Sequence, residues 1–140
     1  MKPDRERELV CPVTVEFEDV DAYGIAHHTK LVAYLERARL RFLTGIGIEL
    51  GRGPVVPVLY DLKMRFMKPA RLLDSLEVSV FVEEVTEYRL DLGYRVRRDG
   101  ETIARATTSI AYADLERGSV VPAPAEHVEA LRAALVRDPE

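Results

Sequence analysis

Four segments rich in β-branched and aromatic residues follow one another between residues 58 and 112, with only short gaps between them. The segments are residues 58–66, 75–85, 88–97 and 102–112, separated by turn residues at Pro69, Thr86-Glu87 and Asp99-Gly100. Parallel strands need crossover connections of about a dozen residues or more, which these gaps cannot hold. The sequence therefore predicts an antiparallel meander, with a tight hairpin at Asp99-Gly100.

A single long helical pattern precedes these segments. It starts near His28 and ends at Gly45 or Gly47, and its apolar side chains recur at three- and four-residue steps: Leu31, Tyr34, Leu35, Ala38 and Phe42. Such spacing lines one face of a helix. Residues 13–17 alternate as in a strand, and residues 125–136 predict a terminal helix. This order favours an α+β architecture, in which an antiparallel sheet wraps around one long central helix.

The composition limits both the location and the partners of the chain. Its 140 residues have the size of one domain, which we expect to span residues 1–140. Twenty basic against 24 acidic residues give a net charge of −4, which argues against a nucleic-acid partner. The single cysteine, Cys11, excludes an internal disulfide. No stretch approaches the ~20 apolar residues of a membrane span, and residues 1–8 are too charged for a signal peptide, so we expect a cytoplasmic protein.

A carboxylate-rich loop joins the predicted first strand to the helix. It carries Asp19 and Asp21, then Gly24, and the helix begins with a histidine pair and continues to the segment Glu36-Arg37-Ala38-Arg39. Residues 17–39, together with residues 64–76, resemble the signature of the 4-hydroxybenzoyl-CoA thioesterase family, which includes the acyl-CoA thioesterases encoded beside the Tol-Pal system of bacteria. The resemblance extends over nearly the whole chain. It implies the hotdog fold and hydrolysis of an acyl-CoA thioester, with no cofactor and no metal.

The resemblance also assigns roles to individual residues. Asp21 matches the catalytic carboxylate, acting as a nucleophile or as a general base on water. The family polarises the thioester carbonyl at the start of the central helix, so the backbone N–H of His28 is expected to donate to the oxyanion. The His28 imidazole could also position water or protonate the thiolate. Asp19 is expected to hold the loop by hydrogen bonds. Substrate-binding roles are expected for Tyr23, Gly24, His27, Lys68 and Arg89.

Three other interpretations of this loop stay open. A hydratase or dehydratase of the same fold carries its Asp and His closer together, usually with an Asn between them, whereas Asp21 and His28 are seven positions apart. A non-catalytic module would keep an acyl-thioester pocket without turnover. A metal site built from the two aspartates and two histidines lacks the usual ligand spacing.

The substrate carrier and the assembly follow from two further features. Only Arg89 is basic within residues 84–89, where the 4-hydroxybenzoyl-specific branch carries several basic residues for the nucleotide phosphates. An acyl group on a carrier protein therefore stays open beside acyl-CoA. The unpaired sheet edge invites association, so we expect a homo-oligomer: a dimer with a continuous sheet, or a homotetramer.

Overall fold

The computed structural model describes residues 9–51 and 53–135. In chain order, the helices and strands are β1 (Leu9–Thr14), α1 (His28–Gly45), β2 (Val55–Phe66), β3 (Ser75–Val85), β4 (Arg89–Arg98), β5 (Glu101–Asp114), β6 (Ser119–Val121) and α2 (Ala125–Ala133). A short 3₁₀ turn, Phe17–Asp19, lies between β1 and α1. The charged residues 1–8 and residue 136 of the predicted terminal helix lie outside the described residues. None of the described helices is long and apolar enough to cross a membrane.

The strands form one antiparallel sheet in the order β1-β3-β4-β5-β2, with the short strand β6 on β5. The predicted meander is correct for β3, β4 and β5 but wrong for β2, which pairs with β5 at the sheet edge. Residues 67–74 make this possible, because they cross the end of the sheet, where the N–H groups of Met67 and Lys68 bond to the carbonyl of Ile103. The neighbour of β3 on that side is β1, which pairs with it antiparallel.

The first strand lies earlier in the chain than its pattern predicted. It pairs with β3 as far as Thr14 opposite Ser75, and two bonds follow: the Val15 N–H donates to the Asp74 carbonyl, and the Leu73 N–H donates to the Val15 carbonyl. Because the partner strand begins at Ser75, the ladder has nothing further to pair with. Phe17 therefore enters the 3₁₀ turn with its side chain 80% exposed, although its alternation matched a strand.

The central helix and the β4–β5 hairpin follow the sequence prediction. All five side chains of the predicted apolar stripe are buried, and α1 packs against β1 and β3. The hairpin turns at Asp99 and Gly100, whose φ angles of 52° and 80° are the left-handed values of a type I′ turn. The side chains of β4 and β5 that face the helix include Leu92, Val96 and Ile110, and they complete a single core. The fold is α+β, with the start of α1 and its preceding loop at one end of the sheet.

Candidate active site

The loop that carries Asp21 is a small closed structure held by its own backbone. Asp21 N–H donates to the Ile25 carbonyl at 2.9 Å, and Gly24 N–H donates to the Asp21 carbonyl at 3.0 Å. Gly24 has a φ of 75°, which favours glycine, so the tight turn depends on this residue. Residues 24–26 also pair with residues 70–72, through Ala26 N–H to the Ala70 carbonyl and Leu72 N–H to the Gly24 carbonyl. The two segments that resembled the family signature therefore lie side by side.

The two carboxylate oxygens of Asp21 have different surroundings. Oδ1 accepts the backbone N–H groups of Tyr23 and Ile25, at 2.8 and 3.2 Å. No N–H or O–H group of residues 9–51 and 53–135 donates to Oδ2. The side chain is half-buried. One oxygen thus fixes the orientation of the carboxylate, and the other is available to a reactant.

The N-terminus of α1 follows this loop directly. His27 is the N-cap residue, and its own side chain makes no capping bond. The N–H groups of Lys30 and Leu31 both bond to the His27 carbonyl, whereas those of His28 and Thr29 have no acceptor among the described residues. Free N–H groups at a helix start carry partial positive charge. They can hold an anion or a developing oxyanion.

Asp19 is buried beneath the loop, which the sequence did not predict in this detail. Its Oδ2 accepts the Tyr34 hydroxyl at 2.6 Å and the Glu16 N–H at 3.0 Å. Burial alone would raise the pKa of Asp19, but these two hydrogen bonds and the charges of Lys30 and Arg37 outweigh it, so the pKa lies below its usual value. Burial and the adjacent carboxylate raise the pKa of Tyr34 far above its ordinary value. Asp19 is therefore an anion that anchors the loop.

The remaining predicted residues divide into two groups. Tyr23 belongs to the Asp21 loop, and His27 and His28 form the helix start that follows it, all with exposed side chains. The ring of Phe66 packs edge-on against His28, with centroids 6.4 Å apart. Phe66 is a site neighbour that the sequence analysis missed, because its contact with the helix start depends on where β2 ends. Lys68 borders the group on the crossing segment, where its Nζ lies 2.8 Å from Glu101 Oε2.

Arg89 is not brought to this group within one chain. It starts β4, whereas the site borders the other end of that strand, where Arg98 donates to the Pro69 carbonyl and to Asp74. At ~3.3 Å per residue, the two ends of β4 are roughly 30 Å apart. Arg89 is also paired, with Glu84 Oε2 at 2.8 Å and Asp91 Oδ2 at 3.3 Å.

Two further features bear on the chemistry of the chain. Within residues 9–51 and 53–135, no three His, Cys, Asp or Glu side chains are grouped so that they could hold a metal ion. A cleft of about 260 Å³ opens between the C-terminal half of α1 and β2, and it is lined mainly by apolar side chains such as Leu43, Val56, Leu59 and Ile110. This cleft lies away from Asp21 of the same chain.

Comparison with known proteins places the chain among thioester hydrolases. A family model described as the thioesterase-like superfamily matches residues 15–135. The acyl-CoA thioesterase YbgC of Haemophilus influenzae is 29% identical over 119 residues, covering 82% of this chain and 88% of that protein. The 1,4-dihydroxy-2-naphthoyl-CoA hydrolase of Thermosynechococcus vestitus is 28% identical over 117 residues, covering 79% and 80%. A crystal structure from Thermus thermophilus superposes with a TM-score of 0.83 at 28% identity, covering 93% of this chain and 99% of that chain.

The family match spans most of the chain, from the end of β1 to the end of α2. It confirms the resemblance seen in the sequence, the α+β hotdog fold and the thioester hydrolase class. The chain belongs to the thioesterase-like superfamily.

Proposed function

We propose that this protein hydrolyses acyl-CoA thioesters to a free acid and the CoA thiol, with Asp21 as the catalytic carboxylate. The observation that carries the proposal is the arrangement of the Asp21 loop. Oδ1 is fixed by two backbone N–H groups, Oδ2 is unoccupied by any described donor, and the helix N-terminus follows a few residues later. A nucleophile or base beside a preorganised anion site is what acyl transfer requires.

The reaction can use Asp21 in two ways. As a general base, Oδ2 takes a proton from water, and the resulting hydroxide attacks the thioester carbonyl. As a nucleophile, Oδ2 attacks the carbonyl itself, expels the thiolate and forms an anhydride that water then hydrolyses. In either route the carbonyl oxygen becomes an oxyanion, which the N–H groups of His28 and Thr29 would stabilise. The C–S bond breaks as the intermediate collapses, and the thiolate takes up a proton, for which His28 is a candidate donor.

The exposed surface of β2 supports a dimer. This strand is at the sheet edge, and its side chains Leu59, Leu62 and Phe66 point to the face where α1 lies but remain 38%, 36% and 47% exposed. We propose that a second copy pairs with β2. Pairing about a two-fold axis makes identical strands antiparallel, so the two chains would form one continuous sheet.

This arrangement would complete the site. Antiparallel pairing about the middle of β2 places residues 55–59 of one chain beside residues 62–66 of the other. The apolar cleft at Val56 and Leu59 would then lie near the partner subunit's Phe66 and His28, as a wall for the acyl group. The partner subunit's Arg89 would lie at the same end of the continuous sheet as Asp21 of the first chain. Arg89 and Lys68 are then candidates for the CoA phosphates, together with Tyr23, Gly24 and His27 around the carbonyl.

A panel of acyl-CoAs with thiol release as the signal tests the function. Replacing Asp21 with Asn keeps the shape of the side chain but removes its charge, so turnover should fall by about two orders of magnitude or more. Asp99→Asn is the matched control, because it makes the same change at a turn residue whose φ of 52° suits asparagine. A folded Asp21→Asn protein that keeps most of its turnover would refute the assignment.

Three measurements address the remaining alternatives. Release of thiol distinguishes hydrolysis from a non-catalytic acyl-binding module and from hydration of an enoyl thioester, since neither of those frees a thiol. An acyl group on a carrier protein, run beside the same acyl group on CoA, identifies the preferred carrier. Single-turnover hydrolysis in ¹⁸O water tests the nucleophilic role of Asp21, because unlabelled Asp21 oxygen enters the product acid only through an anhydride that water attacks at the Asp21 carbon, and trapping of the anhydride with hydroxylamine detects the same intermediate when water attacks the acyl carbon.

A further inference from the structure

The hydroxyl of Tyr34 makes a buried bond that the apolar stripe of α1 does not need. Phenylalanine would fill the same position in the core, because the tyrosine ring is only 2% exposed. The hydroxyl instead donates to Asp19 Oδ2 at 2.6 Å, a short bond to an ionised acceptor. The Arg37 guanidinium lies 5.8 Å from the centre of the Tyr34 ring. The bond is therefore enclosed by protein and can hold its geometry.

Asp19 connects three parts of the structure that surround the Asp21 loop. Its carboxylate accepts the N–H of Glu16, in the segment that follows β1. Its backbone carbonyl accepts the N–H of His27, the N-cap of α1, at 3.0 Å. The Tyr34 bond attaches it to the second turn of that helix. Asp19 and His27 are thus the two ends of the loop, and Tyr34 fixes both to the helix body.

We propose that Tyr34 is a positioning residue for catalysis, acting through Asp19. The Asp21 carboxylate is carried by the loop, and the proposed oxyanion donors at His28 and Thr29 are carried by the helix. Their relative position depends on how the loop is held against the helix, which is what the Tyr34–Asp19 bond does. This inference rests on the function proposed above. A displacement of about 1 Å between reacting groups can reduce a rate roughly a hundredfold.

Tyr34→Phe tests the inference, because it removes one oxygen atom and leaves the ring. Thiol release should show kcat reduced roughly ten- to hundredfold with KM changed less, since the candidate CoA-binding residues Lys68 and Arg89 and the acyl cleft lie outside the loop. Tyr94→Phe is the matched control. Tyr94 is also a fully buried tyrosine, with its hydroxyl 2.8 Å from Thr108 Oγ1 in the sheet core. The control should lose similar stability but keep its kcat, whereas equal losses of kcat in both variants would contradict a positioning role.

A second measurement does not depend on turnover. Amide hydrogen exchange over residues 19–28 should become faster in Tyr34→Phe than in wild type or Tyr94→Phe, because the loop loses its attachment. Asp19→Ala should reduce kcat and speed exchange at least as much, since it also removes the acceptor of the Glu16 N–H, and adding Tyr34→Phe to it should cause no further loss. Asp19→Ala replaces Tyr34→Phe in both assays if the latter does not fold, because alanine leaves the Tyr34 hydroxyl without its acceptor. Absence of thiol release from wild type would refute the proposed function, whereas unchanged exchange over residues 19–28 would refute the role of Tyr34.

Discussion

Gly93→Ala should destabilise the fold through a single contact on the outer face of the sheet. Gly93 lies in β4 directly opposite Phe81 of β3, on the face away from α1. The Phe81 ring crosses over the glycine and is only 8% exposed, with the Arg95 guanidinium 5.3 Å from its centre. A Cβ at position 93 would meet Phe81 Cε2, would lie 2.6 Å from Phe81 Cζ, and would lie 2.6 Å from Glu83 Oε1. Glu83 can turn away at little cost, so Phe81 decides the outcome.

Two opposing terms set the size of the effect. Overpacking that forces a ring from its place costs typically 1–3 kcal/mol, about the range expected here. Alanine also restricts the unfolded chain and so contributes about 0.4–1 kcal/mol in the opposite direction. The net loss in the free energy of unfolding should be about 1–2 kcal/mol. Thermal and urea denaturation at one fixed protein concentration would measure it, because the proposed dimer would make stability depend on concentration.

A double variant tests the reasoning more sharply than the single change. In a Phe81→Ala background the clash is gone, so Gly93→Ala should become neutral or stabilising by about 0.5 kcal/mol. The effect of the same alanine should therefore reverse in sign. If Gly93→Ala destabilises both backgrounds equally, the contact with Phe81 is not the cause. Thiol release should be unchanged in all folded variants, because Gly93 lies far from the Asp21 loop in the sheet.

Three further predictions rest on charge and on the exposed edge. Arg105 stands directly between Arg95 and Arg65 in neighbouring strands, so Arg105→Thr should raise the free energy of unfolding by about 0.5 kcal/mol at low salt, and salt should shrink this gain. Burial would raise the pKa of Asp74, but hydrogen bonds from a backbone N–H and from an arginine side chain of the same chain lower it overall. The ionised Asp74 therefore stabilises the fold above the unfolded pKa of about 3.9, and this stabilisation is lost as pH falls through the lower folded pKa. Asp74→Asn should therefore lose roughly 1–3 kcal/mol at pH 7, and a urea titration should show it converging with wild type in acid. Leu62→Glu on the β2 edge should give a monomer by light scattering with reduced thiol release, and an unchanged dimer would count against pairing through β2.

Local patterns predicted the parts of the fold whose partners lie nearby in the chain. The stripe from Leu31 to Phe42 predicted both the limits of α1 and the face that it buries. Asp99-Gly100 predicted the β4–β5 hairpin, because the left-handed turn angles favour these residues. The place of β2 could not be predicted in this way. Its pairing with β5 is a contact between distant segments, and nothing in residues 55–66 alone distinguishes β5 from β3 as a neighbour.

In the candidate site, too, local features could be predicted from the sequence and contacts between distant residues could not. The motif predicted Asp21, Gly24 and the histidine pair, which the structure brings together at the start of α1. It did not reveal the partner of Asp19, since the Tyr34 hydroxyl is 15 positions away and tyrosine fits a core stripe as well as a polar role. It also placed Arg89 with the substrate, whereas a single chain keeps it at the far end of β4 in ion pairs. The proposed dimer would bring the partner subunit's Arg89 to the site, which the position of Arg89 along one chain does not show.

Backbone groups, rather than side chains, orient the proposed reacting groups, and this affects how substrate preference can vary on this fold. The Asp21 carboxylate is oriented by backbone N–H groups of Tyr23 and Ile25, and the proposed oxyanion donors are backbone N–H groups as well. The side chain of Tyr23, 86% exposed, takes no part in holding the carboxylate. Side chains around the acyl group can therefore change without moving the reacting groups, provided that the turn at Gly24 is kept. The structure thus separates the groups of the proposed catalytic geometry, which the backbone and the buried Asp19–Tyr34 bond hold, from the exposed side chains and the cleft along β2 that we propose for acyl preference.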